Sequence, residues 1–184
     1  MAFYKNILAI SGSTRRESSN LQILKDIKSN YKESFNIEIY PSINNLPHFN
    51  PDDDNDVSLP PLVKEFREKI AKADGILICT PEYVFSLPGS LKNALEWTIG
   101  TILFDKKPVA LITASGLGDQ AHESLKLIMK TMSARFNEQT QLLIKGARSK
   151  LDMNGKINDM DTKERIDILM KSFEKIIDSV QDDN

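Results

Sequence analysis

The sequence predicts a three-layer α/β sandwich, in which a five-stranded parallel sheet of order 2-1-3-4-5 carries helices on both faces. Two observations carry that expectation. Apolar runs of strand length alternate from end to end with stretches of 3.6-residue periodicity. The central runs, KNILAI (Lys5–Ile10), GILICT (Gly75–Thr80) and PVALIT (Pro108–Thr113), are apolar throughout, as strands buried on both faces are. No internal repeat or low-complexity linker breaks the pattern, so residues 1–184 read as one domain.

Each element follows in order. Strand 1 covers Lys5–Ile10 and stops at Ser-Gly-Ser. A helix runs from Asn20 to about Tyr31, with Ile23, Leu24, Ile27 and Tyr31 on one stripe. Phe35–Tyr40 alternates with period two and reads as strand 2. Pro41–Asp56, rich in Asn, Asp and Pro, is a loop long enough to suggest function. Ser58 before Pro60-Pro61 opens a second helix with Val63, Phe66, Ile70 and Ala73 as its buried face. Strand 3 is Gly75–Thr80. A third helix starts near Pro88 and carries Leu91, Ala94, Leu95, Thr98 and Ile102 at helical spacing. Strand 4 is Pro108–Thr113. The fourth helix presents Leu125, Ile128, Met129, Met132 and Phe136, and strand 5 is Thr140–Ile144. The last helix opens on Asp161 and Glu164 in capping-box spacing and buries Ile166, Leu169, Met170, Phe173, Ile177 and Val180.

Size and a phosphate-type first loop favour the flavodoxin-like strand order over the longer dinucleotide-binding one. In such sheets ligands sit beyond the carboxyl ends of the strands, where the order reverses between strands 1 and 3. The loops after strands 1, 3 and 4 are therefore where function should lie.

Composition narrows the field. The net charge is −2, from 24 basic and 26 acidic side chains spread along the chain, which argues against a nucleic-acid partner. The N-terminus lacks the apolar stretch and cleavage site of a secretory signal, and no apolar run approaches a membrane span. The single cysteine, Cys79, ends an apolar run and reads as a small buried strand residue. His48 and His122 have no ligand spacing, so no metal site is expected. A cytoplasmic protein with no membrane partner is the expectation. Trp97 reads as core or subunit interface.

The loop after strand 1, Ser11–Asn20, holds four serines, Thr14, Asn20, Arg15 and Arg16, and runs straight into a helix N-terminus. Hydroxyls, free backbone N–H groups, the positive end of a helix dipole and an arginine are what a phosphate needs. Taken alone it also reads as a polar loop with Ser18 or Ser19 as helix cap. It contains neither GxGxxG nor GxxxxGK[ST]. The loop after strand 3, Thr80–Ala94, is stiffened by two prolines and offers Glu82, Tyr83, Val84 and Phe85 to a flat ring. The loop after strand 4, Thr113–Gln120, has Gly116 and Gly118, which allow close backbone approach or simply a turn.

The segments GSTRRESSN (Gly12–Asn20) and PEYVFSLPGSLKNALEW (Pro81–Trp97) resemble the NADPH-dependent FMN reductases. This flavodoxin-like group includes FMN-dependent azoreductases, quinone reductases and chromate reductases. The family patterns are G-S-x-R-x-x-S-x-N and P-E-Y-N-x-S-x-P-G-x-L-K-N-A-x-D-W. The resemblance implies that Ser13, Arg15, Ser18, Ser19 and Asn20 hold the FMN phosphate. It implies that Pro81, Glu82, Tyr83 and Val84 line the isoalloxazine, with Ser115 and Gly118 across from them. Val84 departs from the family's Asn, and Leu117-Gly118-Asp119-Gln120 is less glycine-rich than the usual G-x-x-G-G.

The activity so implied is electron transfer from NADPH or NADH through FMN to a small acceptor, such as free flavin, a quinone or an azo compound. It would follow a ping-pong scheme, with no side chain acting as nucleophile. Backbone groups at Glu82–Val84 and Ser115–Gly118 would serve the ring, and a homodimer or homotetramer is the implied assembly. A flavodoxin-type electron carrier without direct NAD(P)H oxidation is the alternative; its T/S-x-T-G-x-T loop and strongly acidic surface are both missing here. A fold relative that has lost flavin is a third reading, which the intact phosphate loop opposes.

Overall fold

Period-two burial along the strands decides which helix packs where. The structure is a computed structural model and describes residues 4–182. In β1 (Lys5–Ser11), Leu8 and Ile10 face one side of the sheet, and Ile7 and Ala9 face the other. The other central strands, β3 (Gly75–Thr80) and β4 (Val109–Ser115), divide in the same way. With β2 (Phe35–Ile39) and β5 (Gln141–Lys145) they form one sheet of order β2-β1-β3-β4-β5. Every neighbouring pair is parallel, with Ile7 between Ile37 and Gly75. The expected strand order is the observed one.

Parallel neighbours need crossovers, and the apolar stripes of the helices cover both faces. One face packs against α1 (Ser19–Asn30) and α5 (Met160–Asp182), the other against α2 (Pro61–Lys72), α3 (Gly89–Glu96) and α4 (Asp119–Thr131). Among the described residues no helix is long and apolar enough to cross a membrane.

Three elements differ from expectation in ways the chain explains. Helix α3 ends at Glu96, and Ile102, expected on its stripe, is 86% exposed. Beyond that point the Thr98 hydroxyl donates to Leu95 O (2.7 Å) and the Thr101 hydroxyl to Thr98 O (2.6 Å). Side chains here take carbonyls that a continuing helix would need for its own ladder. Helix α4 stops at Thr131, because Ser133 adopts a left-handed φ of 58°; Phe136 still packs on the core, from the segment beyond. Helix α5 is capped by Asp159, not Asp161. The Asp159 carboxylate accepts from Thr162 N (2.9 Å) and from the Thr162 hydroxyl (2.5 Å). Those bonds and a 2.8 Å ion pair with Lys150 hold its pKa down at about 2, with the Lys150 contact the largest cause.

The loop 41–56 is a strap and lines no part of the cleft described below. Pro47 O accepts from Trp97 Nε1 (2.7 Å) and from Asn93 Nδ2 (2.9 Å), while Asn93 Oδ1 takes the N–H of Phe49 (2.7 Å). Phe49 meets Trp97 edge to face at 5.1 Å, and Arg67 joins Asp54 (2.6 Å) to Trp97 O (2.6 Å). Trp97 is therefore a core residue that uses its one polar atom to hold this loop down.

Candidate functional site

Strand β1 leaves the sheet through Gly12, whose N–H donates to Cys79 O at 2.8 Å. A Cβ at position 12 would stand 2.2 Å from the Thr80 hydroxyl oxygen, so the exits of β1 and β3 touch only because residue 12 is glycine. The chain then rises through Ser13 and Arg15 and drops into α1. Ser18 is the N-cap, its hydroxyl oxygen accepting from Leu21 N at 3.1 Å. A capping hydroxyl still has its own proton to give, so Ser18 can cap the helix and donate into the cleft at once. The N–H groups of Ser19 and Asn20 have no intrahelical acceptor and point outward from the positive end of the helix.

Asn20 is buried, and its side chain is shared between two strands. Its Nδ2 donates to Ala114 O (3.2 Å), and its Oδ1 accepts from the Cys79 thiol (3.3 Å). Burial pushes the Cys79 pKa up, which leaves a protonated, unreactive thiol beneath the cleft. On the opposite face of the sheet, the Thr113 hydroxyl and His122 Nδ1 share a 3.0 Å hydrogen bond. Burial, and to a lesser degree Lys126, lowers the His122 pKa and keeps that ring neutral.

The β3–α3 loop divides its work. Glu82 faces away from the cleft: its carboxylate accepts from the N–H groups of Gly118 (3.3 Å), Gln120 (2.9 Å) and Ala121 (3.0 Å). It caps α4 from another loop, at a helix start where Gly118 itself, at φ 101°, has no side chain to do so. Next, Tyr83 and Ser86 exchange backbone hydrogen bonds of 3.0 and 3.1 Å around a two-residue turn. Both central residues, Val84 (φ 51°) and Phe85 (φ 55°), are left-handed. Such turns favour Asn-Gly, and a β-branched residue at positive φ is an outlier. The tip pushes Val84 (95% exposed) and Phe85 (73% exposed) into solvent, with half-exposed Tyr83 behind them. The Asn that the family pattern places at position 84 thus has a backbone reason that the sequence alone did not display.

These loops enclose a cleft of about 690 Å³ at the carboxyl edge of the sheet, within the range of small-ligand sites. Of the residues expected at the site, Ser13, Arg15, Ser18, Ser19, Asn20, Pro81, Tyr83 and Ser115 all line it. Glu82, Val84 and Gly118 do not: the first and last build the start of α4, and the second stands on the rim. Arg16 is exposed and also outside the lining.

One wall was missed altogether, the loop after β5. Gly146 turns out of the strand at φ 62° and donates to Gly116 O (3.1 Å), and Gly146, Ala147, Arg148 and Ser149 line the cleft. A glycine after a strand-length run is the available signal, but the strand-order rule points only to the loops after strands 1, 3 and 4.

The donor set fits a phosphate with a planar extension. Hydroxyls, two free N–H groups and a guanidinium stand at one end; a proline, a tyrosine and glycine backbone stand at the other.

Known proteins resemble this chain along most of its length. The profile of the family described as NADPH-dependent FMN reductase matches residues 5–148. A 2-hydroxy-1,4-benzoquinone reductase from Burkholderia sp is 34% identical over 173 residues, covering 91% of this chain and 93% of that protein. The NADH-dependent flavin reductase subunit 2 of Lactobacillus johnsonii is 31% identical, over 95% of this chain and 98% of its own. Among solved structures, the flavoenzyme FerB, an NAD(P)H:(acceptor) oxidoreductase from Paracoccus denitrificans, superposes with a TM-score of 0.76. It is 23% identical and covers 95% of this chain and 98% of its own, a likeness of fold.

The left-handed valine gives a stability prediction. Val84→Asn keeps the turn and removes a β-branched side chain from positive φ, a relief of about 1 kcal/mol. Thermal unfolding should shift up by about 2–4 °C. An unchanged or lower midpoint would mean that Val84 carries no strain.

Proposed function

Because the chain belongs to the NADPH-dependent FMN reductase family, we propose that the cleft at the carboxyl edge of its sheet seats FMN and is where electron donor and acceptor meet. The protein is an FMN-dependent NAD(P)H oxidoreductase acting on small acceptors. The observation that carries the placement is the union, in one cleft, of the Ser13–Asn20 cradle and the Pro81–Tyr83 wall.

When bound, flavin supplies two-electron acceptance from a nicotinamide and release to a second compound. The chain's own tasks are binding and orientation. Ser13, Ser18 and the N–H groups of Ser19 and Asn20 grip the phosphate, and Arg15 adds a charge-assisted contact. Pro81 and Tyr83 back the ring on one side, and Ser115 and Gly116 approach it from the other. Glu82 acts at a distance, by tying the β3 and β4 loops together so that the two walls keep their spacing. Val84, Phe85 and the exposed Leu117 give the mouth an apolar rim, which suits planar hydrophobic acceptors such as quinones.

A second surface supports assembly into a homodimer or homotetramer. Ile99 (64% exposed), Ile102 (86%) and Leu127 (66%) are large exposed apolar side chains, the first two at a hollow of about 250 Å³ on the α3–α4 side. Apolar exposure of this kind marks association surfaces. Sedimentation velocity should find a dimer or tetramer for the wild-type protein and a smaller species for Ile102→Glu. A monomeric wild type would refute the assembly.

Arg15→Ala should weaken FMN by roughly one to two orders of magnitude in a fluorescence-quenching titration and leave riboflavin unchanged. Equal losses for both ligands would make Arg15 a structural residue.

If one face of the ring serves both donor and acceptor, the two take turns there. Steady-state kinetics should give the parallel double-reciprocal lines of a ping-pong scheme. Intersecting lines would show both substrates bound together. A protein that oxidises neither NADH nor NADPH directly would be an electron carrier.

A further inference from the structure

Arg148 stands in the cleft wall that the sequence left out, and its surroundings give it a task. Its backbone is fixed. Gly146 N is bonded to Gly116 O, and Ser149 returns to Gly146 O through both its N–H (3.0 Å) and its hydroxyl (2.9 Å). Ala147 between them is buried. The cations on either side are already engaged, Lys145 with Asp119 at 2.7 Å and Lys150 with Asp159 at 2.8 Å. Among the described residues the Arg148 guanidinium is in no salt bridge, and neither is that of Arg15 in the same cleft. The acid in the lining, Glu17, accepts from Gln22 Nε2 at 2.9 Å.

Two guanidinium groups outside any salt bridge and one carboxylate, Glu17, leave the described lining with an excess of positive charge, which favours an anionic ligand. A phosphate monoester near neutral pH carries a charge of about −1.5 to −2, which one arginine neutralises only in part. We propose that Arg148 is the second cation of the phosphate cradle, closing on the FMN phosphate from the β5 side while Arg15 holds it from the α1 side. This rests on the FMN reading above. An arginine suits the position because its planar fork can offer two N–H groups to phosphate oxygens, where a lysine offers a point charge.

The test uses flavin-free protein, titrated with FMN and with riboflavin by fluorescence quenching, in wild-type, Arg148→Ala and Arg148→Lys forms. Arg148→Ala should weaken FMN by about 10- to 100-fold and leave riboflavin unchanged, with Arg148→Lys in between. Wild-type affinity for FMN should rise from pH 5 to pH 7 as the phosphate loses its second proton, near pH 6, and that rise should be shallower in Arg148→Ala. Unchanged FMN affinity, or equal losses for FMN and riboflavin, would overturn the proposal. So would unchanged FMN affinity together with a raised KM for NADPH but not for NADH, which would assign Arg148 to the dinucleotide's 2′-phosphate. Wild-type protein that binds riboflavin as tightly as FMN would instead remove the phosphate cradle itself.

Discussion

The side-chain amide of Asn20 joins three elements that would otherwise meet only through apolar packing. It donates to Ala114 at the end of β4, accepts from Cys79 near the end of β3, and belongs to the first turn of α1. In a buried setting a lost partner leaves an unsatisfied polar group, at a cost of about 1–3 kcal/mol, so the arrangement resists slippage. Its consequence is directional. The N-terminus of α1 is held over the carboxyl ends of β3 and β4, and its free N–H groups face the cleft. The glycine at position 12 works with it, since β1 can reach the end of β3 only where no Cβ intervenes.

Around that fixed floor the walls differ in stiffness for identifiable reasons. Glu82 spans from the β3 loop to the start of α4 and satisfies three backbone N–H groups there, so one carboxylate both caps a helix and sets the distance between two loops. The β5 exit is tied to the β4 exit through Gly146 and Gly116. The Val84–Phe85 tip is closed by the Tyr83–Ser86 pair and holds two left-handed residues at the mouth. A rigid floor with a strained apolar lip suits a site that keeps one ligand and exchanges another.

Much of this could be read directly from the chain. Continuous apolar runs at β1, β3 and β4 announce strands buried on both faces. The stripes of α1, α2 and α5 announce helices with one covered side, and parallel strands joined by helices leave few topologies. The Ser13–Asn20 segment could be singled out because its donors are contiguous in sequence, and the structure brings most of them to the cleft lining. Errors fell where side chains compete with backbone: the hydroxyls of Thr98 and Thr101 end α3 early, and Lys150 and Thr162 move the α5 cap to Asp159. The polar strap 41–56 looked functional because its residues are polar. Its hydrogen bonds to Asn93 and Trp97 are long-range and leave no local pattern.

By itself, then, the sequence determined the alternation of elements, the strand order, and the one loop whose chemistry is contiguous. The reason is that periodicity and donor clusters are local properties, written within a dozen residues. Tertiary structure decided which residues of the other loops face the cleft. It turned Glu82 and Gly118 to the building of α4, raised Val84 to the rim, and brought Arg148 to the cleft from the far side of β4. Those outcomes depend on where strand exits lie relative to one another once the sheet has formed. Spacing along the chain carries no record of them, because partners such as Glu82 and Gly118, 36 residues apart, meet only through the sheet.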